Sequence, residues 1–148
     1  MNPIKILFVC VHNAARSQMA EAFLNHYGEG KIIAESAGLE KGVLNPLAVD
    51  VMAELGFDIS KNQVNSVFEF FKGNRLYAYV ITVCDASNGQ RCPIFPGLRE
   101  MIHWSFDDPS SFTGTEEERL EQTRIVRDQI EEKVKELVEK LMAKHELL

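Results

Sequence analysis

Ile4-Lys5-Ile6-Leu7-Phe8-Val9 runs directly into Cys10-Val11-His12-Asn13-Ala14-Ala15-Arg16-Ser17, and Gln18-Met19-Ala20-Glu21-Ala22-Phe23-Leu24 follows without a break. The first run is short, apolar and branched, as a buried strand is. The last has Met19, Ala22 and Phe23 on one face of a helix. Between them, Cys10 ends a strand, and a five-residue loop closed by Arg16 carries the chain into a helix start. Unpaired N–H groups and the positive end of the helix dipole gather at such a place and suit an oxyanion. A thiol in that field is expected to ionise readily. Arg16 offers a planar fork for two oxygens of a tetrahedral anion, and Ser17 is placed to hydrogen-bond the sulfur. The pattern C-x5-R is short, and a structural cysteine beside an ordinary surface arginine would produce it too. The strand-loop-helix context favours chemistry, with residues 11–17 as the anion cradle.

The chain has 148 residues, 45% hydrophobic and 26% charged, which suits one globular domain over its whole length. A net charge of −6 argues against general binding to nucleic acid or to membrane surfaces. No apolar run reaches the roughly 18 residues of a membrane span, and Met1-Asn2-Pro3 leads straight into the first strand. A cytoplasmic protein is therefore expected. In a reducing compartment three cysteines point to catalysis, redox exchange or metal binding rather than a structural framework.

Ile32 to Gly38 reads as a second strand. Asn45-Pro46 announces a helix carrying Leu47, Val51, Met52 and Leu55, with Gly56 as its terminator. A loop over 57–65 and a short helix over 66–71 precede Gly73-Asn74. Leu76 to Val83, apolar almost throughout, predicts a central parallel strand. Ile102 to Phe106 predicts a short one. Thr115 and Glu118 form a capping box for a last helix with Val126, Ile130, Val134, Leu137 and Leu141 as its buried stripe. The alternation predicts an α/β fold, a mainly parallel sheet flanked by helices, with the loops after the strands on one rim.

Cys84 follows the apolar run at 76–83 as Cys10 follows the first, and Cys92 lies eight residues further on. Such an arrangement suits thiolates that attack one another's sulfur in turn. It is equally consistent with Cys84 as a buried strand residue and Cys92 as incidental. A zinc site lacks the close cysteine pair it needs, and His12 and His103 fit no H-x3–5-H spacing. Asp108, before Pro109, is the candidate general acid, with Asp107 its rival. An Asp-Pro turn capped by its own side chain is the plainer alternative. His103 and Trp104 read as packing residues.

Cys84, then Cys92-Pro93, then residues 103–109 (His-Trp-Ser-Phe-Asp-Asp-Pro) and 114–118 (Gly-Thr-Glu-Glu-Glu) bring the resemblance into focus. Together with the loop at 10–17 and Ser36-Ala37-Gly38, the chain resembles the thioredoxin-coupled arsenate reductases, which share the low-molecular-weight tyrosine phosphatase fold. The phosphatase relatives usually carry aromatic residues after Asp-Pro, whereas Ser110-Ser111 stand here, favouring a small inorganic anion. The resemblance implies that Cys10 attacks arsenate while Arg16 and the amides of residues 11–17 hold its oxygens. Asp108 would protonate the departing hydroxyl. Cys84 would then attack Cys10 and release arsenite, Cys92 would take over the disulfide, and thioredoxin would reduce it. A tyrosine phosphatase using Cys10, Arg16 and Asp108 is the alternative. His12 departs from the usual glycine, and Ala15 from a second loop cysteine of some relatives. The resemblance also implies a potassium site at Asn13, Glu21, Ser36 and Asn65, where an aspartate is expected at the last position. Plain loop hydrogen bonding is the reading preferred for these four.

Overall fold

The computed structural model describes residues 2–83 and 94–147. Strand β1 spans Ile4–Cys10, helix α1 Arg16–Tyr27, strand β2 Ile32–Gly38, helix α2 Pro46–Ala53 and helix α3 Val67–Lys72. Strand β3 follows at Tyr79–Thr82, strand β4 at Glu100–His103, and helix α4 at Glu116–Lys144. The sheet has the order β2-β1-β3-β4, and every pairing is parallel. The α/β architecture is the predicted one.

Both faces of the sheet are covered, which is why β1 is apolar at consecutive positions instead of alternating. Ile6, Phe8 and Cys10 face a core shared with Met19 and Phe23 of α1, Val51 and Met52 of α2, and Val126, Ile130 and Val134 of α4. Leu7 and Val9 point the other way, onto Val67 and Phe70 of α3, Tyr77 and Phe95. The predicted stripe of α4 is buried at all five positions. Its capping box is complete: Thr115 Oγ1 accepts from Glu118 N at 3.1 Å, and Glu118 Oε1 accepts from Thr115 N at 3.2 Å.

Four elements depart from the sequence expectation by two residues or more at an end, each for a local reason. Helix α1 begins at Arg16, two residues early, because Met19 N already bonds Ala15 O at 2.9 Å. Helix α2 starts as predicted, with Asn45 Oδ1 accepting from Leu47 N, but stops at Ala53 and leaves Leu55 exposed. The apolar run at 76–83 forms a ladder only over Tyr79–Thr82, opposite Ile6–Val9. Leu76 lies below that stretch and is 59% exposed. Register with β3 then moves β4 forward to Glu100–His103, and Trp104 leaves the ladder to pack on Phe8 and Phe106, centroids 5.9 and 6.2 Å away. No helix among the described residues is long and apolar enough to cross a membrane.

Ile130→Ala should lower stability by about 2–5 kcal/mol through the cavity it leaves. Thr115→Ala should cost about 1 kcal/mol through the lost cap. Urea unfolding checks both, as midpoints that fall at unchanged slope.

Candidate active site

Strand order places the site. β2 lies on one side of β1 and β3 on the other, so a crevice opens beyond the carboxyl end of β1, the usual ligand position in such sheets. Cys10 is the last residue of β1, 2% exposed, at the floor of a cavity of about 440 Å³. His12, Ala14, Ala15 and Arg16 form one wall, residues 42–46 a second, and Asp108 and Ser110 a third.

The segment after β2 holds the loop open. Leu39, Glu40, Gly42 and Asn45 donate their N–H groups to the carbonyls of Cys10, Val11, His12 and Ala14 at 2.7–3.2 Å. A trans peptide sets its N–H opposite its C=O, so the amides of Val11, His12, Asn13 and Ala15 face away from that segment. Asn13 N donates to Cys10 Sγ at 3.1 Å. The amides of Arg16, Ser17 and Gln18 begin α1 and have no intrahelical acceptor, and Ala15 supplies no side-chain cap. Asn13 N thus reaches the sulfur, and the uncapped start of α1 brings its positive end to the close of the same loop. Gly38 makes the approach possible, since a Cβ there would lie 2.7 Å from Asn13 N and 2.8 Å from the His12 carbonyl carbon. At Gly42 a Cβ would meet His12 Cβ at 2.6 Å.

Ser17 Oγ lies 2.9 Å from Cys10 Sγ and accepts from Asn13 Nδ2 at 2.8 Å, which leaves its own hydrogen for the sulfur. Arg16 is 5% exposed. Its Nη1 donates to Phe106 O at 3.1 Å, and its Nη2 stands 3.4 Å from Asp108 Oδ2. Asp108 Oδ1 accepts from Ser110 N at 3.0 Å, capping a short 3-10 turn at Pro109–Ser111. Asp108 therefore caps its own turn and also faces Arg16 across the cavity. Asp107 is exposed and outside the cavity lining. His12 lines the cavity with Nδ1 3.8 Å from Glu40 Oε2. His103 hydrogen-bonds Thr82 Oγ1 on the sheet edge. Cys84 and Cys92 lie outside the described residues.

With this geometry in place the chain can be set beside known proteins. Residues 5–147 match the model of the low molecular weight phosphotyrosine protein phosphatases. The chain belongs to this phosphatase family. Within the family it is similar to an arsenate reductase of Shouchella clausii, 40% identical over 135 residues that cover 90% of this chain and 94% of that one. A solved arsenate reductase in the phosphate-binding state superposes with a TM-score of 0.76 at 35% identity, covering 93% of this chain and 98% of the other. A thioredoxin-dependent arsenate reductase of Corynebacterium glutamicum gives 0.71 at 26% identity, covering 97% of this chain and 64% of the other.

At the four positions where the resemblance implies a potassium ion, Asn13 and Asn65 take part in the loop's own hydrogen bonds. Asn13 Oδ1 already accepts from Asn65 N at 2.9 Å and Gln18 Nε2 at 3.1 Å. Asn65 Nδ2 donates to Ser36 O at 3.1 Å. Glu21 and the buried Ser36 Oγ, which makes no hydrogen bond among the described residues, complete the four. Burial pushes the Glu21 carboxyl up to about 7, contact with Ser36 opposes the rise, and Glu35 adds to it. The sequence gives no sign that Gln18, Asn62 and Gln63 support the loop; they are ordinary polar residues in a helix and a connection.

Because the folded Glu21 carboxyl binds its proton more tightly than the unfolded one, stability should fall as pH rises from about 4.5 to about 7, then level off. Glu21→Gln should therefore raise Tm at pH 8 and leave it unchanged at pH 4, as thermal scans at the two pH values will show.

Proposed function

We propose that this protein reduces arsenate to arsenite. The observation that carries the reading is one cavity with the Cys10 sulfur on its floor and Arg16 and Asp108 on its walls. The arsenate reductases similar to the chain over nine-tenths of its length support it.

The Cys10 thiolate attacks arsenic, with the loop amides and Arg16 holding the oxygens. An arriving dianion takes over the guanidinium fork, which separates Arg16 from Asp108. The carboxyl side of that pair then serves the departing hydroxyl, which leaves as water when protonated. A Cys10–sulfur–arsenic(V) bond results. The Cys84 thiolate attacks the Cys10 sulfur, forming a disulfide, and the electron pair of the broken S–As bond leaves with arsenic as arsenite. Cys92 attacks Cys84, making Cys84–Cys92 and restoring the Cys10 thiolate. The dithiol of thioredoxin, on which the Corynebacterium neighbour depends, reduces that disulfide and resets the chain. Phosphate enters the same cradle, but phosphorus offers no comparable trivalent leaving state. A cycle that must return to three thiols needs a reducing compartment, which supports a cytoplasmic protein.

The family model itself favours a second reading, hydrolysis of phosphate esters by Cys10, Arg16 and Asp108. Cys84→Ser and Cys92→Ser should each abolish multiple-turnover arsenate reduction with thioredoxin and its reductase, and leave aryl phosphate hydrolysis within about threefold. Sustained reduction by both variants would overturn the relay. Asp108→Asn should lower aryl phosphate kcat by about 10²–10⁴-fold.

A further inference from the structure

Gln18 is 1% exposed in the first turn of α1, and its side chain, outside the cavity lining, takes no part in the reaction above. Its side chain is committed at every polar atom. Nε2 has three oxygens in reach: Asn13 O at 3.1 Å, Asn13 Oδ1 at 3.1 Å and Gln63 O at 3.0 Å. Oε1 accepts from Asn62 Nδ2 at 3.0 Å. The amide has one possible orientation, because reversing it would set its oxygen against three acceptors and its NH2 against a donor. Two hydrogens serving three oxygens means one is shared, and the two Asn13 oxygens are grasped together.

Asn13 is the residue that most needs holding. Its φ of +55° lies in the left-handed region, and that turn aims its N–H at Cys10 Sγ. Its NH2 group also orients the Ser17 hydroxyl that meets the same sulfur. Both hydrogen bonds to the nucleophile therefore depend on one buried asparagine, and Gln18 clamps that asparagine by backbone and side chain. Asn62 and Gln63 anchor the clamp from the connection between α2 and α3.

We infer that Gln18 is a positioning residue for the nucleophile: its amide locks Asn13 in the left-handed turn that delivers both donors to the Cys10 sulfur. The inference concerns the reactivity of Cys10 and holds whichever oxyanion the loop receives. Removing the clamp lets Asn13 relax, and the sulfur loses stabilisation of its charged form without any loss of the residues that touch substrate.

The test uses the full chain, with iodoacetamide as probe and the Cys10 peptide followed by mass spectrometry. Gln18→Met keeps the length and removes every hydrogen bond. Its Cys10 should alkylate about tenfold more slowly than wild type at pH 7 and within twofold of it at pH 10, where any thiol is ionised. Aryl phosphate kcat should fall at least fivefold, with KM changed less than threefold. Gln18→Glu should show the same deficit at pH 8 and recover towards wild type at pH 5.5, because a protonated carboxyl again donates to Asn13. A purely structural role would lower Tm and leave the ratio of the pH 7 to pH 10 rates as in wild type. That unchanged ratio overturns the inference. Should Gln18→Met fail to fold, Gln18→Glu decides alone: recovery on acidification supports the clamp, and a deficit independent of pH overturns it.

Discussion

Asn13 turns the chain through a left-handed residue so that its N–H meets the sulfur three positions back, and the site is built outward from that contact. The sulfur of a cysteine only 2% exposed needs donors if it is to carry charge, because an uncompensated buried charge is costly. Hydrogen bonds to a charged group are worth about 1.5–3 kcal/mol each, so two of them change what the thiol can do. Both converge through Asn13, one from its backbone and one through Ser17. The neighbouring chain is shaped to permit this turn. Gly38 has no Cβ because the loop backbone occupies that space, and the carbonyls of Cys10, Val11, His12 and Ala14 are drawn off by residues 39–45.

The rest of the fold brings chemistry to that sulfur. Strand β1 lies between β2 and β3, so the point where chain direction across the sheet reverses falls at Cys10. Helix α1 begins there with its amides uncapped, and its packing against α4 across the Ile130 and Val134 stripe fixes its direction. Asp108 arrives from beyond β4, held by its own 3-10 turn and facing Arg16. Cys10, Arg16 and Asp108 are remote from one another in sequence or separated by a loop, and one rigid sheet brings them together. The turn cap does not take the whole Asp108 carboxylate: Oδ1 holds the turn, and Oδ2 is left facing Arg16.

Local chemistry made much of this legible beforehand. Ile32 to Gly38 is a strand at its predicted limits, Asn45 caps α2, and Thr115 and Glu118 close their box, because propensity, pattern and cap agree there. The loop at 10–17 was readable because its spacing has a mechanism. Strand register was not: β3 and β4 are cut to length by their pairing with β1, which no local pattern encodes. The Gln18 clamp was equally hidden, since its partners at Asn62 and Gln63 lie more than forty residues away and a helical glutamine is usually a solvated one. Asn65, too, showed its meaning only when its NH2 group was seen against the Ser36 carbonyl.

The central claim is that one loop holds both the nucleophile and the seat of a tetrahedral oxyanion, and anion protection of Cys10 tests it most directly. Phosphate and arsenate, added to fully reduced protein before brief alkylation, should slow modification of the Cys10 peptide saturably. Chloride at equal ionic strength should not, and Arg16→Ala should abolish the protection. Alkylation of Cys10 at the same rate with and without saturating oxyanion would contradict the account, since the sulfur and the anion would then occupy different places.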